Sequence, residues 1–216
     1  MGDDRALPGL PQFAGRFSDY FRGRRWAQLL GHFPDLSNMR VIDLGGYYWN
    51  WVNAPVQPKS VVVVNLDDRR FDDQPPWVET ITADACDLPP ALFDRDFDLV
   101  YSNSLLEHVG GYWRRQRMAE GVRRLAGHHW VQTPARSFPV EPHFLCPGFQ
   151  FLPVSARTQL SRSWPLSPDR RKPSGHLESV LQIELVSATG MRHLFPGSRL
   201  YCERLAGLTK SFAAVL

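Results

Sequence analysis

The chain has 216 residues, of which 43% are hydrophobic and 22% charged. That balance belongs to a globular domain with one sizeable core and excludes a disordered chain. A net charge of +3 is too small for the basic stripe with which a nucleic-acid binder grips phosphates. No run approaches the roughly 18 apolar residues of a membrane helix, and the acidic start Met1-Gly2-Asp3-Asp4 is unlike a secretory leader. Cys86, Cys146 and Cys202 show neither a pairing nor a zinc-site spacing, so reduced thiols in a cytoplasm are expected.

Residues 12–32 set Phe13, Phe17, Tyr20, Phe21, Leu29 and Leu30 at mostly helical spacing, predicting one or two amphipathic helices in an N-terminal helical cap, residues 1–37. The run 39–44 is a buried strand closed by the turn Gly45-Gly46. Residues 60–68, nearly continuous in valine, predict a strand covered on both faces. Residues 79–85 alternate like an edge-ward strand, and 97–102 predict a fourth, followed by an arginine-rich helix over 105–125. Its arginines, Arg114, Arg115, Arg117, Arg123 and Arg124, are expected on a solvated face. Residues 128–133 predict a fifth strand. The stretch 134–176, dense in proline, serine and arginine, is expected to be an acceptor-side insert or lid. A last helix over 178–189 with Gly190 as its stop, then two strands around Gly207, complete the chain. Strands alternating with helices and then a hairpin predict one α/β domain over 1–216. It is Rossmann-like and doubly wound, a mostly parallel seven-stranded sheet with a C-terminal antiparallel hairpin. Ligands bind such sheets beyond the carboxyl ends of the strands.

The chemistry-bearing residues fall at those strand ends. Val41-Ile42-Asp43-Leu44-Gly45-Gly46 is an acid followed by a glycine turn, where a missing Cβ admits a ligand to the backbone. Asp67 lies 22 positions after Gly45, the separation at which a carboxylate meets both hydroxyls of a ribose; Asn65 competes for that role. Asp84-Ala85 follow the third strand, and Ser102-Asn103 end the fourth, just before Leu106-Glu107-His108. In this order the segments resemble the motifs of class I S-adenosylmethionine-dependent methyltransferases, over roughly residues 38–216. The resemblance implies that Asp43 organises the methionine ammonium, Gly45 and Gly46 line the methionine, Asp67 or Asn65 holds the ribose, and Asp84 and Ala85 meet the adenine. It also implies that Ser102 and Asn103 stand near the methyl group. Tyr47 and Trp49 occupy the places of two further glycines in that family. Their bulk also argues against the pyrophosphate site of a nicotinamide dehydrogenase, which needs G-x-G-x-x-G.

Methyl transfer from a sulfonium is an in-line displacement, and a hydroxyl acceptor needs a base or a metal to remove its proton. His143, in Glu141-Pro142-His143-Phe144 just after the fifth strand, is the favoured base, with Glu141 beside it and His108 as the second candidate. The histidines at 32, 128, 129, 176 and 193 are expected to be structural. Magnesium would take carboxylates, with Asp84, Glu107 and Glu141 as the available set. Thr133-Pro134, Glu141-Pro142-His143-Phe144, Phe149-Gln150-Phe151-Leu152-Pro153 and Lys210-Ser211 resemble small actinobacterial sugar O-methyltransferases of polysaccharide and glycolipid synthesis. This resemblance, with the aromatic residues Tyr47, Tyr48, Trp49, Trp51 and Trp164, implies a sugar or oligosaccharide hydroxyl as acceptor. A small-molecule amine or carboxylate acceptor, and a non-catalytic adenosyl-binding partner module, are the alternatives. A homodimer is the assembly to test for.

Overall fold

The computed structural model describes residues 12–67 and 74–216, with the side chains of the first helix described from Phe21 onward. The expected residues Phe13, Phe17 and Tyr20, the first eleven residues of the cap, and Asp68 therefore lie outside the described side chains or residues. Helix α1 spans Gln12–His32 as one helix, not two. Strand β1 (Arg40–Leu44), helix α2 (Tyr48–Val52) and strands β2 (Ser60–Asn65), β3 (Val78–Thr82) and β4 (Leu99–Asn103) follow. Helix α3 (Tyr112–Leu125) and β5 (His128–Pro134) complete the first half. In the insert, the short strands β6 (Val140–Glu141) and β7 (Cys146–Pro147) pair and helix α4 (Val154–Ser163) follows, with helix α5 (His176–Leu181) starting at the insert's last residue. Helix α6 (Ala188–Leu194) then leads into the hairpin β8 (Arg199–Leu205) and β9 (Leu208–Val215).

Seven strands form one sheet in the order β3-β2-β1-β4-β5-β9-β8. The first five are parallel, and β9 runs antiparallel to both β5 and β8. Valine-rich β2 is buried on both faces because alternate residues serve two helical layers. Ile42, Leu44, Val62, Val64, Val100 and Val131 pack with Met118, Ala119 and Val122 of α3 and with Met191 and Leu194 of α6. Val41, Val61, Val63, Leu99 and Trp130 face Leu29 of α1, Phe33 and Trp51. Period-2 alternation thus divides each strand between two cores.

Two helix expectations need correction. The helix expected over 105–125 begins only at Tyr112, because Gly110 and Gly111 adopt φ of +80° and +28°. Ser104 also has a positive φ, so residues 104–109 run as turns across the carboxyl end of the sheet. The helix expected over 178–189 is split into α5 and α6. Gly190 stops nothing: its N–H donates to the Ser187 side chain, which caps the start of α6. The hairpin turn is where it was expected, with Ala206 and Gly207 at φ of +49° and +81°, the left-handed pair that two-residue hairpins favour.

The arginines of α3 have partners instead of forming a merely solvated face: Arg123 donates to the Leu194 carbonyl, Arg124 lies over the Phe93 ring, and three form ion pairs. Arg115 is buried and pairs with Glu184, Arg114 pairs with Asp84, and Arg117 with Asp87. Among the described residues, no helix is long and apolar enough to cross a membrane. Trp130 joins the sheet to α1: it is fully buried on β5 and packs against His32 of α1 and Tyr201 of β8. Trp130→Ala is expected to cost about 3–5 kcal/mol, read as a lower denaturation midpoint at unchanged m-value.

Candidate functional site

The glycine turn after β1 is fixed from below. Asp43, at the sheet centre between Val63 and Tyr101, is fully buried, and its Oδ2 accepts a 2.7 Å hydrogen bond from Trp51 Nε1 of α2. Its Oδ1 is buried without a hydrogen-bond partner. A Cβ on Gly46 would collide with the Asp43 carboxylate, and one on Gly45 (φ +83°) would stand 2.7 Å from Leu105. Asn65 Nδ2 donates to the Gly46 carbonyl at 2.8 Å, tying the turn to the end of β2. Burial pushes the Asp43 carboxyl up to about 7, against the smaller opposing effect of the Trp51 hydrogen bond.

The remaining cofactor candidates sort by geometry. Gly46, Tyr47, Tyr48, Asn65 and Asp67 line one cleft together with Val63, Thr80 and Ile81. Asp67 stands at its rim, with its backbone N–H donating to Asn65 Oδ1. Asp84 lies after β3 as expected, its Oδ2 accepting from Arg114 and its Oδ1 from the Cys86 N–H. Partial burial would raise that carboxyl, but these two donors outweigh it and hold it below the usual range. Ala85 is buried. Ser102 is buried and donates to the Leu44 carbonyl, while Asn103 Oδ1 accepts from Arg25 of α1. Tyr47 and Trp49 stack on each other with centroids 4.3 Å apart. Trp51 is fully buried and offers no open face for stacking, while Trp164 is half-buried against the insert's own core.

The base candidates, 35 residues apart in the chain, meet. Pro142 bends the β6–β7 hairpin so that Glu141 Oε2 accepts from the backbone N–H of both His143 and Phe144, at 2.8 and 2.7 Å. Glu141 Oε1 holds His143 Nδ1 at 2.6 Å. The far side of that ring, Nε2, lies 3.1 Å from His108 Nε2. Beneath them Glu107 is fully buried, its Oε2 accepting from Thr133 Oγ1 at 2.8 Å and its Oε1 unpartnered, 4.0 Å from His108 Nε2. Burial raises Glu107 above the usual carboxylate range. His108 falls below its ordinary value through burial and the neighbouring His143, whereas His143 rises because Glu141 outweighs its burial.

Glu107 was expected only as a carboxylate for a metal; the structure makes it the floor of the histidine pair. Thr133 and Arg25 were not expected at the site, and no periodicity marks either. Asp84 is remote in role from this cluster, being engaged by Arg114. Of the phenylalanines beside the hairpin, Phe144 and Phe149 are buried and stacked, whereas Phe151 is largely exposed. The other histidines have structural contacts. His129 bonds Ser198, His176 bonds Ser161 and the Lys172 carbonyl, His128 bonds the Leu216 carbonyl, His193 bonds Tyr112, and His32 packs on Trp130.

No family model matches the chain, and no curated protein does. Solved structures share the fold. The N-methyltransferase NodS from Bradyrhizobium japonicum WM9 is similar at 13% identity and a TM-score of 0.53, covering 90% of this chain and 94% of that one. Magnesium protoporphyrin IX methyltransferase ChlM from Synechocystis PCC 6803, solved with bound S-adenosylhomocysteine, is similar at 11% identity and 0.57, covering 96% and 89%. An S-adenosylmethionine-dependent methyltransferase from Mesorhizobium loti is similar at 14% and 0.54, covering 88% and 95%. At these identities the likeness is one of fold: the chain has the Rossmann-like sheet found in S-adenosylmethionine-dependent methyltransferases.

The raised Asp43 carboxyl has a consequence for stability. In the unfolded chain it ionises near pH ~4, whereas the folded site retains the proton to about pH 7. Its contribution is therefore complete below that unfolded value and is lost as pH rises from there through about 7. Asp43→Asn keeps an acceptor for Trp51 and should flatten this part of the fall in Tm. An unchanged pH slope in thermal melts of the variant would show that Asp43 is not the group responsible.

Proposed function

We propose that the chain is an S-adenosylmethionine-dependent O-methyltransferase that methylates a hydroxyl group, with a sugar or oligosaccharide as the acceptor class. The observation that carries this reading is the Glu107–His108–His143 cluster, aligned by Glu141 and standing where β4 and β5 end. A carboxylate or amine acceptor needs no such centre, since neither has to lose a proton from a weakly acidic hydroxyl. The fold of the neighbouring methyltransferases supports the cofactor.

In this reading the cofactor lies over the glycine turn. Asp43 acts from beneath by holding that turn open, Asn65 and Asp67 receive the ribose, and Asp84 and Ala85 border the adenine. Ser102 and Asn103 close the methyl end. The insert, residues 134–176, forms the acceptor's wall, and the cleft lined by Arg136, Glu141, Phe144, Gln150 and Arg157 offers the mixed apolar and hydrogen-bonding surface that a sugar uses. The acceptor oxygen forms its bond to the methyl carbon as the carbon–sulfur bond breaks, and sulfur keeps the bonding pair. The hydroxyl proton is drawn off at His143, whose ring Glu141 orients, with His108 alongside.

Two variants separate cofactor binding from chemistry. Asp67→Ala should weaken S-adenosylhomocysteine binding by about 1.5–3 kcal/mol through loss of a charged acceptor, measured by calorimetry. His143→Ala should lower turnover at least about a hundredfold while leaving that affinity within a few fold. Tight NAD binding with no S-adenosylhomocysteine binding would refute the reading.

A further inference from the structure

Three electron-pair donors converge between the loop after β4 and the β6–β7 hairpin. His143 gives its Nδ1 proton to Glu141 at 2.6 Å, so in the neutral ring Nε2 carries a lone pair. That atom faces His108 Nε2 at 3.1 Å. Glu107 Oε1, buried and without a partner, lies 4.0 Å from the same His108 nitrogen. One proton shared between the two rings satisfies the imidazole pair and leaves the carboxylate oxygen bare in the interior, which is costly. A single cation at the focus satisfies all three.

From this convergence we propose that Glu107, His108 and His143 bind one divalent transition-metal ion of the zinc type. The three ligand atoms lie within 4.8 Å of one another. Two nitrogens bonded to a tetrahedral ion at about 2.05 Å stand about 3.3 Å apart, close to the separation of the two rings. Two imidazoles and one carboxylate suit zinc, cobalt or nickel, whereas magnesium asks for oxygen ligands. The ligands are also held from behind: Glu141 fixes His143 through Nδ1, and Thr133 fixes Glu107 through Oε2, the outer support that metal-binding histidines and carboxylates characteristically have. Three protein ligands leave a coordination position for an oxygen from the acceptor.

The inference rests on the proposed hydroxyl methylation for its purpose, but not for the binding itself. A hydroxyl bound to a divalent cation loses its proton far more readily than a free one. With Nε2 of both rings on the ion and the His143 Nδ1–H directed at Glu141, the histidines act in the loaded site by holding the ion, in place of His143 serving as base. The proton of the bound hydroxyl passes to solvent water beside the partly exposed His108 ring.

The test uses the full chain after chelator treatment, titrated with Zn²⁺ by calorimetry and with Co²⁺ by visible absorption. One ion per chain is expected, with Co²⁺ bands that shift when azide takes the open position. Glu141→Gln, which keeps all three ligands, should lower Zn²⁺ affinity about 10–100-fold, and His108→Ala and Glu107→Gln should each remove the one-to-one binding. S-adenosylhomocysteine calorimetry on the same variants verifies that they are folded. Absence of one-to-one binding in the wild-type chain, or binding that survives both ligand substitutions, overturns the metal site and leaves the methyltransferase reading with imidazoles alone. A wild-type chain that binds Zn²⁺ but not S-adenosylhomocysteine sinks the methyltransferase reading and leaves the metal site standing.

Discussion

The carboxyl end of the sheet is organised around a carboxylate that has no room to move. Asp43 sits in the central strand with Trp51 donating to one oxygen and the Gly45-Gly46 turn folded over it. A side chain on Gly46 would enter the Asp43 carboxylate, so the turn can close only with glycine there. The Trp51 hydrogen bond fixes α2 against the sheet, and the same tryptophan packs edge-on against Tyr101 of β4 and Trp26 of α1. The glycine turn, α1, α2 and β4 are therefore positioned by one buried contact group, and the cleft beside Asn65 and Asp67 takes its shape from it.

The second organising feature is the hairpin that carries Glu141 and His143. Glu141 accepts two backbone N–H groups of its own turn and the imidazole of His143, so one carboxylate both builds the turn and aims the ring. Pro142 between them removes a competing donor and restricts the backbone. The stacked pair Phe144 and Phe149, with Val180 of α5, gives the insert a small core of its own. The insert is thus a folded wall against the sheet's carboxyl end, built of short elements whose stability comes from packing more than from helical or strand propensity.

Proximity of unlike chemistry at a sheet's carboxyl end follows from parallel topology. Every strand from β1 to β5 delivers its loop to the same edge, so residues far apart in the chain become neighbours there. Glu107 and His108 arrive from β4, and Glu141 and His143 arrive just beyond β5, its neighbour in the sheet. The buried Thr133–Glu107 hydrogen bond ties the two together below the surface.

The sequence by itself determined the five parallel strands and the closing hairpin, because alternation, valine runs and the Gly207 turn act locally. It also located Asp43, Gly45, Gly46, Asn65 and Asp67 at strand ends, and singled out the Glu141-Pro142-His143 step. Tertiary structure decided the rest. Whether the arginine-rich helix begins at residue 105 or 112 depends on the left-handed Gly110-Gly111 pair, which apolar periodicity does not register. That Ser102, Asn103, Asn65 and Asp84 bond to the protein itself is fixed by which strands and helices lie beside them. The meeting of Glu107, His108 and His143 was beyond any local pattern: it requires strand order and a hairpin folding back over it, long-range contacts that no spacing along the chain encodes.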